Sequence, residues 1–305
     1  MMHYRGKVFR PPFEERSLLI EATVGCSRDR CAFCSLYHDT PFSPSPMEDI
    51  ESDIRFIGRN RSLFKRVFLV GGDPFALPYN RLRRIGELVR EHIPRIETIG
   101  CYASVRNILA KTPEQLSSLA SLGYSGLNIG FETGLDDVLA FMDKGNTADE
   151  AREAFARLNE AGIPFTLNLV TGLAGAGRGL ENALANASVI NEARPQLIIV
   201  TALNVWPGSR LYDLVEAGEF TPPTLREVIE EEAAFLRATD LSDTFFFGMH
   251  ELNPVRVNGN LPQDRDFLAR EVEEGIARFP EHQLDAPIRQ IAREGAPVRR
   301  TGRTM

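Results

Sequence analysis

Short apolar runs rich in β-branched residues alternate along this chain with longer stretches whose apolar positions recur every three or four residues. Ser17-Leu-Leu-Ile-Glu-Ala-Thr-Val24, Arg66-Val-Phe-Leu-Val70, Arg95 to Ala103, Ser125 to Phe131, Pro164 to Val170 and Leu197 to Val205 read as strands. The stretches between them read as helices. Met47, Ile50, Ile54 and Ile57 form a helical stripe behind Ser45-Pro-Met-Glu48, a capping box with proline at the first helical position. A helix from about Tyr79 to His92 follows the second strand. Thr112-Pro-Glu-Gln115 and Thr147-x-x-Glu150 cap two more, and another covers about Leu180 to Ala193. Strands that alternate with helices pair in parallel, because each return needs a crossover. Right-handed crossovers wind such a sheet into a barrel or an open barrel, with the site on the loops after the strands.

From about Leu211 the pattern changes. A short helix to Ala217 and an acidic helix over Thr224 to Thr239 precede Thr244-Phe-Phe-Phe-Gly-Met-His250. Turn signals at Asn253-Pro, Asn258-Gly and Leu261-Pro lead to a last helix over about Asp264 to Phe279. The chain therefore divides into a core over residues 1–210 and a mainly helical extension over 211–305. The extension is expected to cover the open side of the barrel.

The chemistry is announced after the first strand, in Gly25-Cys-Ser-Arg-Asp-Arg-Cys-Ala-Phe-Cys34. Three of the chain's four cysteines stand there, spaced C-x4-C-x2-C. A closed zinc site needs four ligands, often from two CxxC knuckles, and no second CxxC follows. Three cysteines around a 4Fe–4S cluster leave one iron free to take a small molecule. Three incidental thiols, or a zinc loop completed by His38, are the other readings. Cys101, inside the third strand, reads as a buried apolar residue.

The loop resembles the cluster loop of the radical S-adenosylmethionine (SAM) superfamily. There the usual spacing is C-x3-C-x2-C, with an aromatic before the last cysteine, as Phe33 is here. The resemblance implies a partial (β/α)6 barrel of the TIM type. It also implies a 4Fe–4S cluster held by Cys26, Cys31 and Cys34, with SAM bound beside Phe33. Gly71-Gly-Asp-Pro74 resembles the superfamily's GGE-like motif, whose backbone holds the SAM amino group, with Asp73 at the acidic position.

Gly130-Phe-Glu-Thr-Gly134, with Lys144 twelve residues after Glu132, resembles the subgroup of oxygen-independent coproporphyrinogen III oxidase. There a Gln or Glu at the Glu132 place contacts SAM, and a basic residue at the Lys144 place pairs with the SAM carboxylate. Asn168 matches a ribose contact that is often Asp. The glycines of Gly172-Leu-Ala-Gly-Ala-Gly177 would admit the adenine. Ser104 and Arg106 end the third strand; Arg106 would reach SAM, a substrate carboxylate or Glu97. Trp206-Pro-Gly-Ser209 matches a turn common after the sixth strand.

Composition narrows the picture further. The 305 residues, 43% of them hydrophobic, supply ample core for a globular domain. No apolar run is long enough to span a membrane, and the N-terminus has no signal core, so a cytoplasmic location is expected. A net charge of −7 argues against a nucleic-acid groove, and the arginine-bearing tail after Arg289 reads as a solvated end.

The expected function is reductive cleavage of SAM to a 5′-deoxyadenosyl radical. That radical would take hydrogen from a small-molecule substrate, with the electron drawn from a flavodoxin or ferredoxin type of donor. A haem-trafficking carrier that keeps the cluster and SAM site, or an RNA-modifying enzyme, are the alternatives. His250, Asn253 and Arg256 are the expected substrate contacts, on a lid anchored by Phe245, Phe246 and Phe247.

Overall fold

The computed structural model describes residues 2–59 and 64–288, so the tail after Arg289 lies outside the described residues. One eight-stranded sheet organises the chain. Its strands in spatial order are β1 (Leu18–Glu21), β2 (Arg66–Val70), β3 (Thr98–Ala103), β4 (Leu127–Glu132), β5 (Phe165–Thr171), β6 (Leu197–Ala202), β7 (Thr244–Phe247) and β8 (Asn258–Leu261). The first seven run parallel and the last is antiparallel. The crossovers are α1 (Met47–Arg59), α2 (Tyr79–His92), α3 (Val105–Leu109), α4 (Pro113–Ser121), α5 (Asp136–Phe141), α6 (Ala148–Glu160), α7 (Gly179–Ala193), α8 (Arg210–Glu216) and α9 (Leu225–Ala238), with α10 (Arg265–Glu274) after the last strand. Among the described residues no helix is long and apolar enough to cross a membrane.

The alternation along each strand sorts side chains to two faces. Ile20, Leu69, Ile99, Cys101, Ile129, Leu167, Val200 and Phe246 pack outward against the helices and form one apolar core. The opposite positions carry Tyr102, Asn128, Thr166 and Asn168. Parallel strands buried on both faces usually read as continuous apolar runs, so polar residues there mark an interior built for something other than packing.

The capping boxes at Thr112 and Thr147 are present with both reciprocal bonds, and a third stands at Thr224 with Glu227. Three segments differ from the expectation. Thr244 to Phe247 is the seventh parallel strand of the sheet and not the base of a lid. Phe246 points to the helices, with Phe235 at 6.4 Å, while Phe245 and Phe247 meet Phe13 edge-on at 6.3 and 4.6 Å. The physical reason is the period: a run of four β-prone residues alternates between a buried face against the helices and a half-buried face. The sheet thus continues past residue 210. The short helices α3 and α5 also fill what pattern alone left as loop.

Candidate active site

The cysteine loop leaves β1 through a small two-stranded pair, Thr23–Val24 with Ser43–Pro44. Gly25 turns it out with φ +71°; a Cβ there would stand 2.3 Å from the Thr40 carbonyl oxygen. The loop after β2 lies directly against it. The Gly72 N–H donates to the Gly25 carbonyl at 2.9 Å. A Cβ on Gly72 would fall 2.6 Å from that oxygen and 2.9 Å from the Cys26 Cα, and one on Gly71 2.2 Å from the Thr23 carbonyl. Both glycines are therefore required by the approach of two backbones.

Asp73 is buried under this junction. It accepts from the Ser27 hydroxyl and from the Asn107 amide of α3. Burial raises its pKa, against those two hydrogen bonds. Its carboxyl thus braces the two loops. Pro74 opens a buried 3-10 turn behind it. Lys111 closes the network from below, donating to the Phe75 and Asn107 carbonyls at 2.8 and 3.0 Å. Burial lowers the Lys111 pKa to about 8.

On the other side of the cysteine loop stands an ion pair. Lys144 Nζ lies 2.8 Å from Glu132 Oε1 and 5.8 Å from the centre of the Phe33 ring. Burial works against the ammonium, but the charge of Glu132 and the hydrogen bond to it favour the protonated form, and the pKa is raised. Glu132 sits at φ +72°, where the β4–β5 register shifts. The turn that carries Lys144 is tied to the cysteine loop by Arg28, whose Nε donates to the Asp143 carbonyl at 2.9 Å while an Nη bonds the Asp143 carboxylate. A Cβ on Gly145 would strike that guanidinium. Arg28 belongs to the four-residue spacer between Cys26 and Cys31. Sequence reasoning missed Ser27, Arg28, Asn107, Lys111 and Asp143; the one local signal was the enlarged spacer itself.

Asn168 is half-buried inside the barrel. Its amide donates to Asn128 Oδ1 at 2.7 Å and the Ile129 carbonyl at 3.0 Å, which leaves its own oxygen as an acceptor. The glycine-rich loop after β5 is fastened rather than loose. Ala176 N–H donates to the Thr221 carbonyl at 2.9 Å, and Gly177 N–H to Glu227 at 2.6 Å. Ser104 caps α3 by accepting from the Asn107 N–H at 3.3 Å. Arg106 is exposed, and Glu97 pairs with Lys65 at 2.8 Å instead. Ser209 caps α8, and the Leu211 N–H donates to the Ala32 carbonyl at 2.8 Å, so the sixth loop also touches the cysteine loop.

The expected substrate trio separates. Asn253 is 2% exposed. Its oxygen accepts from the Ala202 N–H at 2.8 Å, and its amide donates to the Val200 and Gly248 carbonyls, both at 2.9 Å. It is a peg joining the turn to β6, and no polar atom is left for a ligand; that corrects the expectation. Arg256 donates to the Glu251 carbonyl at 2.9 Å, within its own turn. His250 is half-buried and follows the carboxyl end of β7, on the rim where the other motifs lie. Its Nδ1 accepts from the Leu252 N–H at 3.2 Å, and burial lowers its pKa.

The thiols fit a cluster. Cys26, Cys31 and Cys34 are all partly exposed, whereas Cys101 is buried in the core. Burial raises Cys26 and pushes Cys34 up to about 11. Such thiols are protonated at neutral pH until a metal takes the place of the proton. His38 lies 3.8 Å from Asp29, and among the described residues no His, Cys, Asp or Glu group closes around a single ion. Beside the loop, Thr23 Oγ1 and Tyr37 Oη are buried without a hydrogen-bond partner. Orphaned polar atoms, a glycine cradle and three thiols on one loop suit a cluster with a polar ligand next to it.

The radical SAM superfamily model matches residues 20–177, and the chain belongs to that superfamily, whose members use a 4Fe–4S cluster and SAM. It is 23% identical over 189 residues to the heme chaperone HemW of Bacillus subtilis, covering 61% of this chain and 48% of the relative. It is 22% identical over 118 residues to the tRNA uridine(34) acetyltransferase of Methanocaldococcus jannaschii, covering 38% and 22%. The chain thus spans less than half the length of these curated relatives. Among solved structures, the radical SAM methyltransferase TsrM from Kitasatospora setae, with cobalamin and a [4Fe-4S] cluster bound, aligns with a TM-score of 0.55 at 17% identity, over 66% of this chain and 39% of that one. Coproporphyrinogen III oxidase (HemN) from Escherichia coli aligns at 0.53 and 17%, over 72% and 52%. These likenesses show the fold. The match to a tRNA-modifying enzyme leaves the expectation against nucleic acid without support.

Proposed function

We propose that this chain is a radical SAM enzyme that binds SAM between the cysteine loop and Lys144 and turns over an organic substrate at the same rim of the barrel. The observation that carries this is the Glu132–Lys144 pair at 2.8 Å, tied by Arg28 to the loop that bears all three partly exposed cysteines. A buried carboxylate and a half-buried ammonium side by side present complementary charges to an amino acid's ammonium and carboxylate.

In this reading Cys26, Cys31 and Cys34 hold the cluster. When bound, cluster and SAM together supply a 5′-deoxyadenosyl radical able to take hydrogen from an unactivated carbon. The chain's own residues set the stage for it. Lys144 takes the SAM carboxylate and Glu132 its ammonium side. Gly71 and Gly72 bring the β2 loop close enough for backbone contact, with Asp73, Pro74 and Asn107 holding that loop rigid. Phe33 shields the cysteine loop, the Asn168 oxygen faces the ribose, and Ser104 with Arg106 closes the rim after β3. A flavodoxin or ferredoxin type of protein would deliver the electron.

The test is anaerobic reconstitution. The unsubstituted protein should take up about four irons per chain and form 5′-deoxyadenosine from SAM after reduction. Cys31→Ala should abolish both, and Cys101→Ala neither. Full iron content in Cys31→Ala would overturn the assignment of the loop. A cluster with no 5′-deoxyadenosine under any reductant would favour a carrier role, which the heme chaperone match makes the second reading; a haem titration would then decide it.

A further inference from the structure

Glu231 lies on α9, behind the sheet, and is 2% exposed. A carboxyl so deep must be hydrogen-bonded. One oxygen accepts from the Gly172 N–H at 2.9 Å and the other from the Asn182 amide at 2.7 Å. Gly172 opens the glycine-rich loop after β5. Asn182, fully buried on α7, accepts in turn from the Thr133 hydroxyl at 2.5 Å. Thr133 follows Glu132, and its Oγ1 accepts from the Leu135 N–H at 3.1 Å. One turn along α7, Asn186 accepts from the Gly134 N–H at 2.6 Å.

The direction of this chain of bonds is fixed. The Leu135 N–H donates to Thr133, Thr133 to Asn182, and Asn182 to Glu231, which also receives Gly172. Glutamine at 231 would set an N–H donor against one of two N–H donors. The relay also has work to do: Glu132 holds a left-handed φ that is costly for a residue with a side chain. The bonds to Thr133 and Gly134 come directly after it.

We propose that Glu231 is a positioning residue for SAM, fixing from outside the barrel the two strand-end loops, after β4 and β5, that meet the cofactor. This rests on the reading above that those loops bind SAM. Glu232, the next residue, is equally buried but has an oxygen without a partner and no bond to either loop. It is the internal control.

The experiment is equilibrium dialysis of labelled SAM against the full-length, cluster-loaded protein, with iron content and thermal unfolding measured alongside. Glu231→Gln and Thr133→Val should each weaken SAM about tenfold at unchanged iron content, the scale of losing one buried hydrogen bond. The double variant should also lose about tenfold rather than a hundredfold, because both changes break one relay. Glu232→Gln should bind SAM as the unsubstituted protein does. Unchanged affinity in Glu231→Gln, an additive double variant, or equal weakening by Glu232→Gln would overturn the proposal. If Glu231→Gln does not fold, Thr133→Val decides alone, and unchanged affinity there is equally fatal. An unsubstituted protein that loads its cluster yet binds no SAM would instead overturn the functional reading. The relay would then show only as faster amide exchange at Gly172 and Leu135 in Glu231→Gln.

Discussion

The two ends of the sheet treat polar groups in opposite ways. At the amino ends of the strands, Arg66 on β2 forks onto Glu14 at 2.8 to 3.0 Å and also reaches Thr98 Oγ1 at 3.0 Å and the Ser125 carbonyl at 3.1 Å. Phe13, beside Glu14, packs on Phe245 and Phe247. A cavity of about 270 Å³ remains there, but the charged groups in its wall already hold one another. At the carboxyl ends, Thr23 Oγ1, Thr171 Oγ1 and both polar atoms of Asn204 are buried without partners, and glycines replace side chains where loops meet. At the amino end the central ion pair is fully partnered; the carboxyl end is polar, cramped and unfinished. In a parallel barrel that asymmetry separates stability from function.

The sharpest way to break the comparison is to cut one pair at each end. Arg66→Ala leaves Glu14 buried without its bidentate partner, which should cost about 3–5 kcal/mol of stability. Urea unfolding of the purified chain reads this directly, and SAM affinity per folded molecule should not move. A loss below about 1 kcal/mol would remove the contrast. At the other end, Lys144→Ala should weaken SAM by about 1–3 kcal/mol. It also leaves Glu132 buried without its partner, so stability should fall by about 3–5 kcal/mol as well, and the SAM affinity is read per folded molecule. Unchanged SAM affinity would show that the pair with Glu132 is structural.

Much of this contrast was legible in the sequence. The strand over Arg66–Val70 and the helix over Tyr79–His92 stand where the periodicity put them, and the boxes at Thr112 and Thr147 are formed as expected. Each of those signals is local: its partners lie within four residues. The parts that escaped are long-range. Thr244 to Phe247 became a strand because β6 offers an edge 48 residues back in the chain. Asn253 became a peg because its amide meets Val200, 53 residues back in the chain. Asp73 braces two loops because it meets Ser27, 46 residues back, and Asn107, 34 residues on. A motif gives the residue and its place in the chain, but not which neighbour takes up its polar atoms.

A third test asks whether buried carboxyls behind the sheet behave as the closed end does. Burial raises the Glu232 pKa to about 8, from 4.5 in an unfolded chain. The folded protein therefore keeps a proton through that window while the unfolded chain has released it. The stability tied to this proton is fully present below about 4.5 and is lost as pH rises toward about 8. The slope for one proton is about 1.4 kcal/mol per pH unit. Glu232→Gln mimics the protonated form, so it should match the unsubstituted protein at pH 4.5 and exceed it increasingly toward pH 8. Parallel stability curves for the two proteins would show that the carboxyl is not held neutral.

The smallest effect is expected at His250, which stands between the two behaviours. It follows β7 on the unfinished rim, yet one ring nitrogen is already committed, since Nδ1 accepts from the Leu252 N–H at 3.2 Å. That bond fixes the neutral tautomer with its proton on Nε2, and burial lowers the pKa so that the neutral form prevails at pH 7. The ring can then offer one N–H donor to a substrate group, not a positive charge. His250→Ala should leave iron content and SAM affinity unchanged and cost less than about 1 kcal/mol of stability, the scale of one hydrogen bond. What should fall is the amount of product formed per 5′-deoxyadenosine, because the substrate is held less firmly beside the radical. His250→Asn keeps a donor on a shorter side chain and should recover part of that ratio. A ratio that is the same in all three proteins would make His250, like Asn253, a residue of the turn alone.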